Sequence, residues 1–143
     1  MQKAFSLSKD ERLYLREAIS ELFAKGSGFM VFPYRIVYHV LPENDSQVAR
    51  VAIMTIAPKK KFKHAVDRNR VKRLTREAYR INKLAIIDAF EKAHLKLQVA
   101  FIYADNKHIT FQETERHIKK GLQTIMKKGL KTPKTAENPS EQR

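Results

Sequence analysis

Apolar positions recur at helical spacing in three parts of the chain, with strand-like runs between them. Leu15, Ala18, Ile19, Leu22 and Phe23 fall three and four apart, as one face of a helix does. Ser8-Lys9-Asp10-Glu11 ahead of them has the form of a capping box, and Gly26 and Gly28 mark an end. The pattern predicts a helix over about residues 9–24. The run from Tyr34 to Leu41 is β-branched and aromatic, and the run from Val48 to Ala57 is a second strand. The turn-forming stretch Pro42-Glu43-Asn44-Asp45-Ser46 separates them, so the two are expected to pair as a hairpin. Phe29 to Phe32 reads equally as a short strand ended by Pro33 or as an apolar loop.

Residues 58–66 are basic and aperiodic. Beyond them Val71, Leu74, Ala78, Ile81 and Ala85 form a helical apolar stripe, with Asp67 placed to cap its start. Leu97 to Tyr103 is a strand, Asp105-Asn106-Lys107 a turn, and Thr110-Phe111-Gln112-Glu113 a second capping box. Thr114, Ile118, Leu122 and Ile125 line one face of a last helix, which Gly129 ends. From Lys131 the chain lacks bulky apolar residues and reads as a disordered tail, leaving one domain over residues 1–130. The order is helix, two or three strands, helix, strand, helix, which predicts an α+β domain with a small sheet.

Charge changes the picture. The 143 residues suffice for one core, but 29 Lys and Arg against 15 Asp and Glu leave a formal net charge of +14. Such a balance favours an anionic partner, nucleic acid first and a membrane surface second. The absence of cysteine excludes disulfides and thiolate metal sites. No apolar run approaches bilayer length, and the first residues lack a signal-peptide core, so a cytoplasmic protein is the expectation.

The positive charge is concentrated. Between Asp67 and Arg80 lie Arg68, Arg70, Lys72, Arg73, Arg76 and Arg80, with Asn69 among them. Arg68, Lys72, Arg76 and Arg80 stand four apart, opposite the apolar stripe. One reading is contact with RNA or DNA phosphates, where arginine adds bidentate geometry. The other is a solvated face on which Glu77 pairs with Arg73 or Arg80. The shortage of acids favours the first. Lys59, Lys60, Lys61, Lys63 and His64 either extend the basic surface or form a plain lysine-rich loop. Tyr34, Tyr38, Phe62, Tyr103, Phe5 and Phe23 could stack on unpaired bases, although core packing is the commoner fate. Tyr34 and Tyr38 share one strand face and would make a platform if that face met solvent.

Catalytic signals are weak. His39, His64, His94, His108 and His117 match no zinc spacing, and no glycine-rich phosphate loop is present. Asp10, Glu11, Asp67 and Glu77 could ligate hydrated magnesium only together with phosphate ligands. No catalytic residue and no protein metal site is expected; the chain reads as a binder.

Ala65 to Arg80 resembles the hallmark of the bacterial ribonuclease P protein component, A-V-x-R-N-R-x-K-R-x-x-R-E-x-[FY]-R, with Lys60-Lys61 upstream. Phe5, Leu7, Arg12-Leu13, Phe23 and Gly26 are similar to the family's N-terminal landmarks, and Val99–Ile102 and Ile109–Glu113 to its last strand and helix start. The resemblance implies an α-β-β-β-α-β-α domain like domain 2 of ribosomal protein S5, with a mainly antiparallel sheet and a left-handed βαβ crossover. It implies a protein cofactor of a catalytic RNA that uses Mg2+, bound mainly by the RNA, to remove the 5′ leader of precursor tRNA. The partners would be that RNA and the precursor tRNA, with no obligate protein partner and no membrane. Arg68, Asn69, Arg70, Lys72, Arg73, Arg76 and Arg80 would lie on or near the helix that contacts the RNA. Ile19, Phe23, Tyr38 and Lys60-Lys61 would border a leader cleft, with Tyr34 and Phe62 as further candidates. Pro58, Lys63, His64 and Ile19 depart from the family's usual residues, which bears on leader contact. A ribosomal protein or other RNA-binding module is the rival; a stand-alone nuclease and a membrane-surface helix are weaker ones.

Overall fold

The computed structural model describes residues 7–130. A single 3-10 turn, Lys9–Glu11, precedes α1 (Arg16–Lys25), β1 (Ser27–Val31), β2 (Tyr34–Pro42) and β3 (Val51–Ile56). Then come α2 (Ala65–Asn82), α3 (Leu84–Ala93), β4 (Leu95–Tyr103) and α4 (Phe111–Gly129). The tail expected from Lys131, and Phe5, lie outside the described residues.

The strands form one sheet in the order β1-β2-β4-β3. β1 with β2 and β2 with β4 are antiparallel, while β3 runs parallel to β4. The expected hairpin between residues 34–41 and 48–57 is therefore not formed. Leu97 to Phe101 are buried at every position, on both sheet faces. A strand that apolar on both sides belongs in the interior with a neighbour on each edge. β4 accordingly inserts beside β2 and displaces β3 to the sheet margin. The second strand is also shorter than expected, with Val48 76% exposed.

Alternation sorts the core into two layers. Tyr34, Ile36, Tyr38, Val99 and Phe101 face α2, α3 and α4 in the larger cluster. Val37 and Ala100 face the other way, against Leu22 of α1. α4 packs closely: a Cβ on Gly121 would meet Ile36 Cδ1 at 2.5 Å. The buried face of α4 carries Thr114, Ile118, Leu122 and Ile125, as its spacing predicts.

The first helix starts later than its apolar pattern suggests. Glu11 does reach back to the Ser8 backbone N–H, at 3.2 Å, but it closes only one 3-10 turn. Arg12 then bridges to Ile53, and Leu13 N–H donates to Ile53 O at 2.7 Å. The exposed edge of β3 competes successfully for this backbone. The central helical region likewise divides. α2 ends at Asn82, and Ala85 is exposed while Ile86 and Phe90 carry the burial of a separate α3. At the junction Lys83 is 3% exposed, and its ammonium lies 2.6 Å from Glu11 Oε1. That pair ties the N-terminal turn to the α2–α3 elbow.

Glu11→Gln removes the carboxylate from a buried lysine and is expected to cost about 3 kcal/mol, read from urea denaturation. A second expectation concerns α4, where Thr110 N–H donates to Glu113 Oε1 at 2.9 Å and Glu113 N–H to Thr110 Oγ1 at 3.1 Å. The backbone hydrogen bond from Thr110 is the main reason the Glu113 carboxyl sits below its ordinary range. A carboxyl depressed in the folded state contributes stability fully above its unfolded pKa and loses it as the pH falls through the folded value. Glu113→Gln should therefore flatten the fall in stability between about pH 5 and pH 3, followed by denaturant midpoints across that window.

Candidate nucleic-acid interface

Helix geometry decides how the α2 cations are shared between the protein and its surroundings. Residues four apart advance by about 40° around a helix, so the series Arg68, Lys72, Arg76, Arg80 winds from the flank of the buried stripe toward solvent. Its members consequently do different things.

Arg68 turns inward. Its Nη1 donates to Phe62 O at 2.9 Å and Lys63 O at 3.0 Å, fixing the lysine-rich loop to α2. Arg70 crosses to the segment before α4, with Nη1 3.0 Å from His108 Nδ1 and Nη2 donating to Ile109 O at 3.4 Å. His108 Nε2 lies 3.1 Å from Asp67 Oδ1, and its ring stacks on Phe62 with centroids 4.8 Å apart. Arginine only donates, so His108 Nδ1 accepts and the ring proton resides on Nε2, facing Asp67. Asp67 thus serves His108 rather than capping α2, whose N-cap is His64. His108 carried no sequence signal, because its partners lie about forty positions away.

The outer side of α2 is open. Asn69 and Arg73 are exposed, as are Lys59, Lys60, Lys61 and Lys63. Arg80 forms an ion pair with Glu77, one of the pairings the acid-base spacing allowed. It is alone among the predicted cations in having a carboxylate partner within the described residues. Arg76 is half-buried with Nη1 3.3 Å from Thr55 Oγ1. Desolvation first, then the charges of Arg12 and Arg73, pull its pKa below the ordinary arginine value. Apart from Arg80, the predicted cations are thus crowded and without a carboxylate partner among the described residues, the condition under which a polyanion binds well. A cleft of about 280 Å³ opens between Arg12, Tyr14, Met54, Lys72 and Arg76. Tyr14, 59% exposed, gives it an aromatic wall.

The aromatic candidates divide sharply. Tyr34 is 1% exposed, with its hydroxyl 2.6 Å from Thr75 Oγ1 and its ring edge-on to Tyr103. Burial pushes the Tyr34 hydroxyl pKa up, against the lowering effect of Thr75. Tyr103 is buried as well, its pKa raised to about 12, chiefly by burial. Tyr38 and Phe62 belong to the same large cluster. Tyr34, Tyr38 and Phe62 therefore do not form an exposed stacking platform, because three helices cover that sheet face. Ile19 and Phe23 stand on α1, which packs on the opposite face, so the five expected cleft residues do not line one cleft. On the α1 side, alternation instead places Arg35, paired in register with Met30; both are exposed. Phe23 is 44% exposed there.

Among the described residues no three His, Asp or Glu side chains are grouped to hold a metal ion. No described helix is long and apolar enough to cross a membrane.

The sequence profile of the Ribonuclease P family matches residues 7–126. The "Ribonuclease P protein component" of Porphyromonas gingivalis strain W83 is 42% identical over 118 residues, covering 82% of this chain and 85% of that protein. That of Chlorobium phaeobacteroides is 28% identical over 128 residues, covering 84% and 88%. The RNase P protein of Staphylococcus aureus superposes with a TM-score of 0.63 at 17% identity, over 80% of this chain and 94% of that one. The Thermotoga maritima protein gives 0.63 at 19% identity, over 80% and 97%. A profile match over most of the chain, a close relative of nearly equal extent and a shared α+β fold agree: the chain belongs to the bacterial ribonuclease P protein family, as the protein subunit of an RNA-catalysed endonuclease that processes precursor tRNA.

Proposed function

We propose that the outer side of α2, together with the Lys59–Lys63 loop, docks on the catalytic RNA of ribonuclease P. The observation that carries this reading is the shortage of internal acids: Asn69 and Arg73 are exposed, Lys72 is half-buried at the cleft beside them, and the two cations have no carboxylate partner among the described residues. Each phosphate neutralised there releases counterions, which makes the contact strongly salt-dependent. Arg68 and Arg70 act in this reading by positioning. They hold the lysine loop and the segment before α4 against α2, so that the remaining cations meet RNA as one rigid surface.

The 5′ leader of precursor tRNA lies, in the same reading, on the sheet face beside α1. Phe23 and Ile19 offer apolar surface to unpaired bases there, and Arg35 offers a cation to the backbone. The aromatic contribution is smaller than a Tyr34–Tyr38 platform would have given. Magnesium belongs to the RNA in this scheme, and no side chain attacks the phosphodiester. What the protein supplies is positive charge between two polyanions that otherwise repel each other.

Reconstitution with the cognate catalytic RNA and precursor tRNA tests this. Wild-type protein should enhance 5′ cleavage at low magnesium. Lys72→Ala with Arg73→Ala, at a half-buried and an exposed position, should lower the slope of log affinity against log salt by about 2 and lose most of the enhancement. An unchanged slope with a folded double variant would remove this face of α2 from the interface.

A further inference from the structure

One cleft runs against the charge of the rest of the molecule. In a chain of net charge +14, Asp10, Glu17, Glu21 and Asp45 line a single cavity of about 300 Å³. It lies between the N-terminal segment, α1, the loop before β3 and the β3 and β4 strands. Glu21 and Phe23 are two residues apart on α1 and point to opposite sides of it, so this cleft is separate from the proposed leader surface.

Its inner wall holds an unanswered polar group. Gln98 of β4 is 3% exposed, and its Oε1 is buried without a hydrogen-bond partner. Gln47 Oε1, on the same cleft, is also buried and unpartnered, while its Nε2 donates to Ala49 O and Leu97 O. Both oxygens are turned away from the open cavity, and Gln47 is held so by its two carbonyl partners. A half-turn of the Gln98 amide would bring its acceptor to the cleft, where a donor-rich ligand would relieve a buried acceptor that costs about 1–3 kcal/mol. Partners inside the protein only partly occupy the rim. Glu21 pairs with exposed Lys25 at 3.3 Å, and Asp45 Oδ1 accepts from Gln47 N–H at 2.8 Å. Arg12 also borders the cavity.

The acceptors do not converge on a point: among the described residues no three carboxylates or imidazoles are grouped for direct ligation of a metal ion. They are instead distributed around walls of Leu13, Leu15 and Ala18. Separated acceptors with apolar surface between them match an extended cation whose charges are themselves separated by methylenes. A terminal ammonium brings three donors and an internal one two, neither has an acceptor, and aliphatic stems lie readily on apolar side chains. We propose that this cleft is a binding site for a linear aliphatic polyamine.

Isothermal titration of the full chain with spermidine, without RNA and at fixed ionic strength, tests the assignment. One saturable site is expected, with amide shifts on spermidine addition centred on Gln47 and Gln98. Glu17→Gln with Glu21→Gln should weaken binding about tenfold, the loss expected on removing charge-assisted hydrogen bonds. Gln98→Leu should weaken it also; the rim variant, made at exposed or half-buried positions, keeps the test decisive if the core variant does not fold. Magnesium chloride at matched ionic strength should leave spermidine binding intact. Absence of a saturable site, unchanged affinity in the folded rim variant, or displacement by magnesium under those conditions would overturn the proposal.

Discussion

A strand that hides both of its faces needs a layer on each, and β4 imposes that requirement on the whole domain. Leu97, Val99 and Phe101 demand cover on one side, which α2, α3 and α4 provide; Ala100 demands it on the other, where α1 supplies Leu22. Because β4 also needs an edge partner on both sides, the chain cannot pair its second and third strands. It carries β3 to the margin and returns through two helices to lay β4 parallel beside it. The basic helix is part of that return. Its place on the molecule follows from strand packing before any demand of RNA is considered.

The cations of that helix are divided between architecture and recognition. A repeat of four on a helix of 3.6 residues per turn cannot keep one azimuth, so part of the series meets the protein and part meets solvent. Arg68 and Arg70 bind carbonyls and the His108 ring, making a stiff junction where β3 leads into α2 and β4 into α4. Stiffness there matters electrostatically: charges held at fixed spacing lose less entropy on meeting a phosphate backbone than charges on a loose loop. Negative charge is divided as well. Glu11 answers buried Lys83, Asp67 answers His108, and Glu77 answers Arg80, whereas a further group of acids collects in the cleft beside α1. Segregating the two signs keeps those acids off the face proposed to meet RNA.

Much was legible along the chain. The apolar stripe of the last helix, its Thr110–Glu113 cap and its Gly129 end are local features, and the structure forms them as read. The basic block of α2 was equally plain, as was the family resemblance, since both reside in contiguous residues. The side-chain assignments were harder. Alternation correctly put Tyr34 and Tyr38 on one face, but could not say that three helices would cover it.

What the sequence determined by itself was therefore whatever depends on neighbours within a few residues: element type, helix caps, the surplus of positive charge and its concentration after residue 58. Tertiary structure alone decided the sheet order, the break at Lys83, the loss of helix over residues 12–15, and which arginines remain available. Each of these is settled by contacts between positions tens of residues apart, where burial and backbone pairing outweigh local preference by more than local patterns can reveal. The orphaned amide of Gln98 belongs to the same class, because a polar residue in a strand declares its environment only when the opposing wall is in place.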